Sequence, residues 1–358
     1  MSKFKAFKFC LLLTTVPLLA IMVGMFATHG VHEVQASPSP SLAYVVEQGG
    51  NSWVVQPLAD PQSVIDYYAY VDVSDVPAGP FNASSAQTDI EVSETSLLFL
   101  YHDTTADEIS IVVIHDRPEA QLGETPATGG QVSFTYTGLP AAATRVVGDD
   151  PSEGNIPNAN WAWAPCCTDG NAVEGGLNGE FSVTIAPNFI SGINAWQFLS
   201  GDRFNPTRIS LNLEIAVTIK AIRSVGIDIK PQSCPNPINT KSNGVLPVAI
   251  LGTGDFDVTT IDPASVRLEG VAPLRWALED VATPFEPYTG KEDAYDCTCE
   301  GPDGFCDLTI KFKQQEVVTA LGDVSDGDVL VLRLTGQLKE EFDGDDFIGE
   351  DVVVILKK

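Results

Sequence analysis

The stretch WAWAPCCTDG, from Trp161 to Gly170, sets two cysteines side by side behind two tryptophans at alternate positions. Adjacent cysteines serve as metal ligands, as a redox pair or as structural links, and the compartment decides among these roles. Their Cα atoms lie about 3.8 Å apart across a trans peptide, below the ~4.4 Å usual for a disulfide, so a bond between Cys166 and Cys167 closes a strained, reducible ring. A vicinal bond that stiffens the turn between WAWAP and TDGNAVEGG is the expectation, with free thiols or a redox or metal pair as the alternatives. Trp161 and Trp163 are two apart and share one face of a strand. There they form either a stacking platform for the sugar rings of a glycan or part of a core, and large aromatics are more often mostly buried. Trp53, Trp196 and Trp276 stand alone and read as core residues.

His102 and His115, each followed by aspartate, invite a metal or triad reading. The two apolar runs that carry them flank the polar turn TTADE, so a hairpin puts His102 at the turn and His115 at the open end, ~20 Å away at about 3.3 Å per residue. They cannot share an ion, and both read as solvent-facing strand ends. GTGDFD after VLPVAIL copies the start of a dinucleotide loop, but Asp257 stands at the third glycine position and no helix follows. It reads as a turn. The sequence contains no G-x-S-x-G, no H-E-x-x-H and no phosphate loop.

The other cysteines are Cys234, Cys297, Cys299 and Cys306, besides Cys10 near the N-terminus. An even set in an exported chain reads as disulfides. CEGPDGFC encloses a Pro-Asp-Gly turn that sets Cys299 opposite Cys306 and leaves Cys234 to pair with Cys297; a bond between Cys297 and Cys306 is the alternative. No free thiol is expected. Carboxylates crowd three glycine-containing turns: PDGFCD with Asp303 and Asp307, DVSDGD with Asp323, Asp326 and Asp328, and DGDDFIGED with Asp343, Asp345 and Asp346. Calcium takes about six to eight oxygens, and such turns suit it, although none has the closing glutamate of an EF-hand. Calcium is therefore the expected ion, with solvated acidic turns as the alternative.

Export follows from the N-terminus. Lys3, Lys5 and Lys8 precede an apolar run from Phe9 to Ala27, and Val34-Gln35-Ala36 ends in a small residue, the layout of a signal peptide cleaved before Ser37. Retention of the run as a single membrane anchor is the alternative. Cleavage removes three lysines and Glu33 and moves the net charge from −28 to −30. Such a polyanion repels nucleic acid and anionic headgroups and attracts cations and basic partners. The expected protein is secreted or held at the cell surface, with no membrane contact after leader cleavage.

The elements that must position these residues read as strands. SLLFLYHD, EISIVVIHD, QVSFTYTGLP, EFSVTIAP and RISLNLEIAVTIKA in the first half, and VGIDIK, VLPVAILG, SVRLEG, LRWALED, DLTIKFK, DVLVLRLTG and DVVVILK in the second, are short apolar or alternating runs between Gly, Pro and Asn stops. The one helix expected is QQEVVTALG, Gln314 to Gly322. The fold class predicted is all-β, with two antiparallel β-sandwich-like domains after the leader: 1–36 signal peptide, 37–224 first module, 225–358 second module.

IDIKPQSCPNPINTKSNGVLPVAILGTGDFDVTTIDPASVRLEG, with WALEDVATP and EGPDGFCDLTIKF, resembles a recurrent C-terminal module of exported bacterial and archaeal proteins whose role is not established. SLLFLYHD, WAWAPCCTDG and FISGINAWQFLSGD resemble an exported β module of equally open function. These resemblances imply a modular extracellular protein and bring no catalytic residue. Two function classes follow. One is a non-enzymatic protein that binds extracellular matrix, a glycan or another surface protein; the other is a secreted hydrolase or lyase acting on polysaccharide through carboxylates.

Overall fold

The computed structural model describes residues 41–69, 86–117, 129–148, 153–165 and 167–357. The expected leader and Cys166 lie outside the described residues. The chain forms two compact units, one from Leu42 to Arg223 and one built on the chain from Ser224 onward.

In the first module one sheet has the order β12 (Thr207–Leu211), β11 (Ala195–Ser200), β4 (Thr95–Asp103), β5 (Glu108–His115), β9 (Asp169–Glu174), β7 (Thr144–Gly148), with β3 (Leu58–Asp60) also against β4. The other runs β2 (Asn51–Val55), β1 (Leu42–Gln48), β13 (Val217–Ser224), β10 (Phe181–Ser191), β6 (Gly130–Thr137), β8 (Asn158–Trp163). Leu98, Leu100, Ile111 and Val113 of the first sheet pack with Phe134, Trp161, Val183 and Ile219 of the second in one core. On the far side of β4 and β5, Leu97, Phe99, Tyr101, Val112 and Ile114 meet Val64, Tyr67 and Tyr68 of helix α1 (Val64–Tyr68). Covered on both faces, these two strands need apolar residues at every position, which is why SLLFLY and ISIVVI run without alternation. β6 and β8, with one face outward, alternate strictly.

The second module pairs β14 (Ile227–Ile229), β16 (Val245–Ile250), β19 (Asp307–Lys313) and β18 (Arg275–Glu279) in that order. Its other sheet is β17 (Ile261–Leu268), β20 (Val329–Leu338), β21 (Asp346–Leu356), β15 (Asn236–Asn239). Ile229, Val248, Ile310 and Phe312 meet Leu332, Leu334, Phe347 and Val353 between them. Helix α2 spans Gln314–Ala320, and Gly322 follows at φ +71°, the left-handed stop that only glycine adopts without strain.

The sheets are not purely antiparallel. β3 and β11 run parallel to β4, and β15 runs parallel to β21. β11 illustrates the reason: the chain leaves β10 in one sheet, turns at Gly192 and enters the other beside a strand already placed, so its direction is set by the crossover.

Candidate functional site

The β4–β5 register sets Ser96 opposite His115, and Ser96 Oγ lies 3.0 Å from His115 Nδ1. A serine beside an imidazole is a nucleophile–base pair in outline. Here the ring is fully buried, stacked on Trp163 at 5.5 Å and edge-on to Trp161 and Phe134, and its Nε2 has no hydrogen-bond partner among the described residues. Burial pushes the imidazole down to about 3, so it is neutral at physiological pH. Asp116 supplies no third member: its Oδ1 accepts the backbone N–H groups of Glu94 and Arg117, and its Oδ2 accepts Trp163 Nε1 at 3.0 Å. The solvent-facing reading of His115 is thus corrected, because the second sheet covers the open end of the hairpin. His102 does lie at the turn, where Nε2 meets Asp107 Oδ1 at 2.9 Å.

Trp161 and Trp163 do share a face, and it is the inner one. Trp161 donates to Gly170 O at 3.0 Å, and a Cβ on Gly130 would collide with the Trp163 ring. The platform reading of these two indoles is overturned by their burial. Cys167 behind them is buried and disulfide-bonded.

In the second module Cys234 and Cys297 form a disulfide with Cα atoms 5.6 Å apart. Cys299 is an exposed free thiol, and Cys306 is disulfide-bonded. Both pairings expected for Cys306 are therefore corrected, as is the absence of a free thiol. The turn between Cys299 and Cys306 is shaped instead by Asp280, whose carboxylate accepts the N–H groups of Asp303 and Gly304.

A buried polar cluster in the second module is one the sequence reading missed. Ile227 and Ile229 of β14 face the core, and Asp228 between them is buried with neither oxygen in a hydrogen bond of normal geometry among the described residues. Asp351 on β21 accepts the Ile229 N–H at 2.6 Å and Asn236 Nδ2 at 2.9 Å on one oxygen, and the Val352 N–H and the Lys291 ammonium at 3.4 Å on the other. Lys291 is buried too, against the ring of Phe285, and the Asn236 side-chain carbonyl oxygen has no hydrogen-bond partner among the described residues. Burial, then the Asp351 charge, push Asp228 up to about 7, against the Gln232 backbone N–H and Lys291. Burial also raises Asp351, with Lys291 the largest opposing influence. A lone aspartate inside IDI was the only trace of this cluster in the sequence.

The expected calcium ligands do not converge. Asp307 is buried at the start of β19, where its two oxygens accept the N–H groups of Gly252, Val281 and Ala282. Asp303 caps the Phe305 N–H, Asp326 accepts from Lys357 and Asp328 from Ser325, while Asp323 is exposed. Among the described residues no three His, Cys, Asp or Glu side chains are grouped to hold a metal ion.

Two features face outward. A pocket of about 340 Å³ is lined by Glu269, Gly270, Val331, Arg333, Thr335 and Glu350. Arg333 Nη2 lies 3.4 Å from Glu350 Oε1, and Glu269 Oε1 accepts the Arg333 N–H. The other feature is β18, where Trp276 and Leu278 are 48% and 44% exposed and Leu274, just before the strand, is 49% exposed. Trp276 pairs with Ile310 and Leu278 with Leu308, so they extend the core face past the last covered strand. Trp276 is thereby corrected from core to surface. Among the described residues no helix is long and apolar enough to cross a membrane. No protein-family model, no curated protein and no solved structure matches this chain, so the resemblance of the second module to exported modules stands on its quoted motifs alone.

Proposed function

We propose that the protein is a non-enzymatic binding or structural unit of the cell exterior, secreted or surface-held, that meets its partners through strand edges and loops. One observation carries this reading: the side chains with chemical potential, Ser96–His115 and Asp228–Asp351–Lys291, are sealed in cores, whereas large apolar residues stand open on β18. The Cys234–Cys297 disulfide supports an oxidising compartment. Partners of this reading are extracellular matrix, a glycan or another surface protein. Calcium belongs to it as a ligand of exposed turns around Asp323, Asp326 and Asp328. The test is a glycan and matrix binding screen with protein beginning at Ser37, repeated with Trp276→Thr and in calcium, chelator and magnesium at matched ionic strength. Binding that Trp276→Thr abolishes supports the reading; turnover of any screened polysaccharide overturns it.

The second reading, a secreted hydrolase or lyase acting on polysaccharide, draws support from the pocket with Glu269, Arg333 and Glu350. Both carboxylates already hold hydrogen bonds, Glu350 also accepting the Gly290 N–H at 2.7 Å. Reducing-end release that disappears in Glu269→Gln and Glu350→Gln would establish it.

A further inference from the structure

Strand β18 ends its sheet: it pairs with β19 on one side, and among the described residues no strand pairs with its other side. All five residues, Arg275-Trp276-Ala277-Leu278-Glu279, are exposed. A flat edge bearing large apolar side chains is a template for another strand unless charge, proline or a bulge blocks it. Here none does. The register to β19 is unbroken, and the strand carries one positive and one negative side chain.

The order of those five residues identifies the other strand. We propose that the edge is a homotypic docking strand, through which two copies of this chain pair antiparallel about a two-fold axis at Ala277. Antiparallel pairing centred there puts Arg275 of each copy opposite Glu279 of the other, and Trp276 opposite Leu278. The charges meet on one face and the apolar residues on the other, because successive side chains alternate. Charge along the sheet follows the same polarity. Lys311 pairs with Arg275 at one end of β18, and Glu279 followed by Asp280 lies at the other. A two-fold axis therefore brings the basic end of each copy to the acidic end of its mate. The small Ala277 at the axis lets the backbones approach. In a chain of net charge −28 most surfaces repel their own copy, and this locally neutral strip is where two polyanions approach at least electrostatic cost. The pairing is isologous, so it closes at two copies and joins two four-stranded sheets into one of eight.

The proposal rests on reading β18 as a contact surface and narrows its partner to a second copy. Sedimentation velocity of the purified chain without any ligand, from about 1 to about 200 μM, should show a monomer–dimer equilibrium with a Kd on the order of 10 μM, as suits a small interface. Arg275→Glu and Glu279→Arg each turn two cross-strand attractions into repulsions and should weaken the dimer about tenfold, while the double variant restores it. Both positions are exposed, so unchanged melting confirms that each variant folds. In a Cys299→Ser background, Ala277→Cys should crosslink on oxidation, because opposed antiparallel residues lie about 4.5–5.5 Å apart, within disulfide reach. Asn243→Cys in the same background should not. A wild-type monomer throughout the range overturns the proposal, and so does a dimer indifferent to the single charge reversals. A monomer whose matrix or glycan binding still depends on Trp276 overturns the homotypic partner alone and leaves the broader functional reading in place.

Discussion

His115 in the first module and Asp228 in the second both follow an isoleucine in a strand and both are sealed from water, yet burial acts on them in opposite senses. The first module buries a base, which burial keeps from taking a proton at physiological pH; the second buries an acid, which burial helps to retain one. Lowered to about 3, His115 makes native protein hold fewer protons than unfolded protein, so its contribution is lost as pH falls from about 6.5 toward 3. Raised to about 7, Asp228 makes native protein hold more protons than unfolded protein, so stability is lost as pH rises from 3.8 through 7. Acid therefore loads one module and neutral pH the other. A burial depth that looks the same in both modules has opposite consequences because the sign of the excluded charge differs.

The largest effect expected tests the first half of that contrast. His115→Asn keeps a polar atom near Ser96 Oγ and removes the titration. Between pH 7 and 3.5 the variant should lose roughly 4 kcal/mol less stability than wild type, measured by denaturant unfolding on the indole fluorescence of the first module, which holds four of the five tryptophans. Parallel pH curves would remove His115 from the account. Asp228→Asn tests the other half: it should stabilise the second module at pH 8 by up to about 4 kcal/mol and leave it unchanged near pH 3.5. A variant equally destabilised at both pH values would mean that the carboxylate is held by contacts and not strained by its charge.

Smaller effects compare a sealed indole with an open one. Trp161→Phe keeps an aromatic ring but leaves the Gly170 carbonyl without its donor, at a cost of about 1–3 kcal/mol. Trp276→Thr, on a half-open edge, should change the melting midpoint of dilute monomer by the equivalent of less than about 1 kcal/mol. If the two losses are equal in calorimetry, the difference in exposure carries no energetic meaning.

Local pattern announced the strands well. Alternation told that Trp161 and Trp163 share a face, and the Gly322 stop marked the end of α2. What alternation cannot report is whether a second layer covers that face. Trp161 and Trp163 lie under a sheet, while Trp276, with an equally ordinary neighbourhood, lies past the edge of one. The buried cluster was invisible for a different reason: Lys291 meets Asp351 across 60 residues, and Asn236 meets it across 115. Nothing near any of these residues in sequence signals the others. The cysteine arithmetic placed the Cys234–Cys297 bond and failed at Cys299, because a turn of suitable length between Cys299 and Cys306 says nothing of which sulfurs face each other, and Asp280 holds that turn without them.

The hairpin of β4 and β5 carries one last consequence, for the order in which the chain is made. Its strands are complete at residue 115, but β11, which flanks β4, begins at Ala195, and β13 of the covering sheet begins at Val217. A ribosome or translocation channel that delivers the chain from its N-terminus thus releases a ribbon whose α1 face finds its cover already made, but whose other apolar face waits for a sheet that does not yet exist. Until Ser224 has emerged, that ribbon depends on a chaperone or on transient partners to avoid sticking to its copies. Once the module closes, the same amides should be the last to exchange with solvent deuterium, since no local opening reaches them.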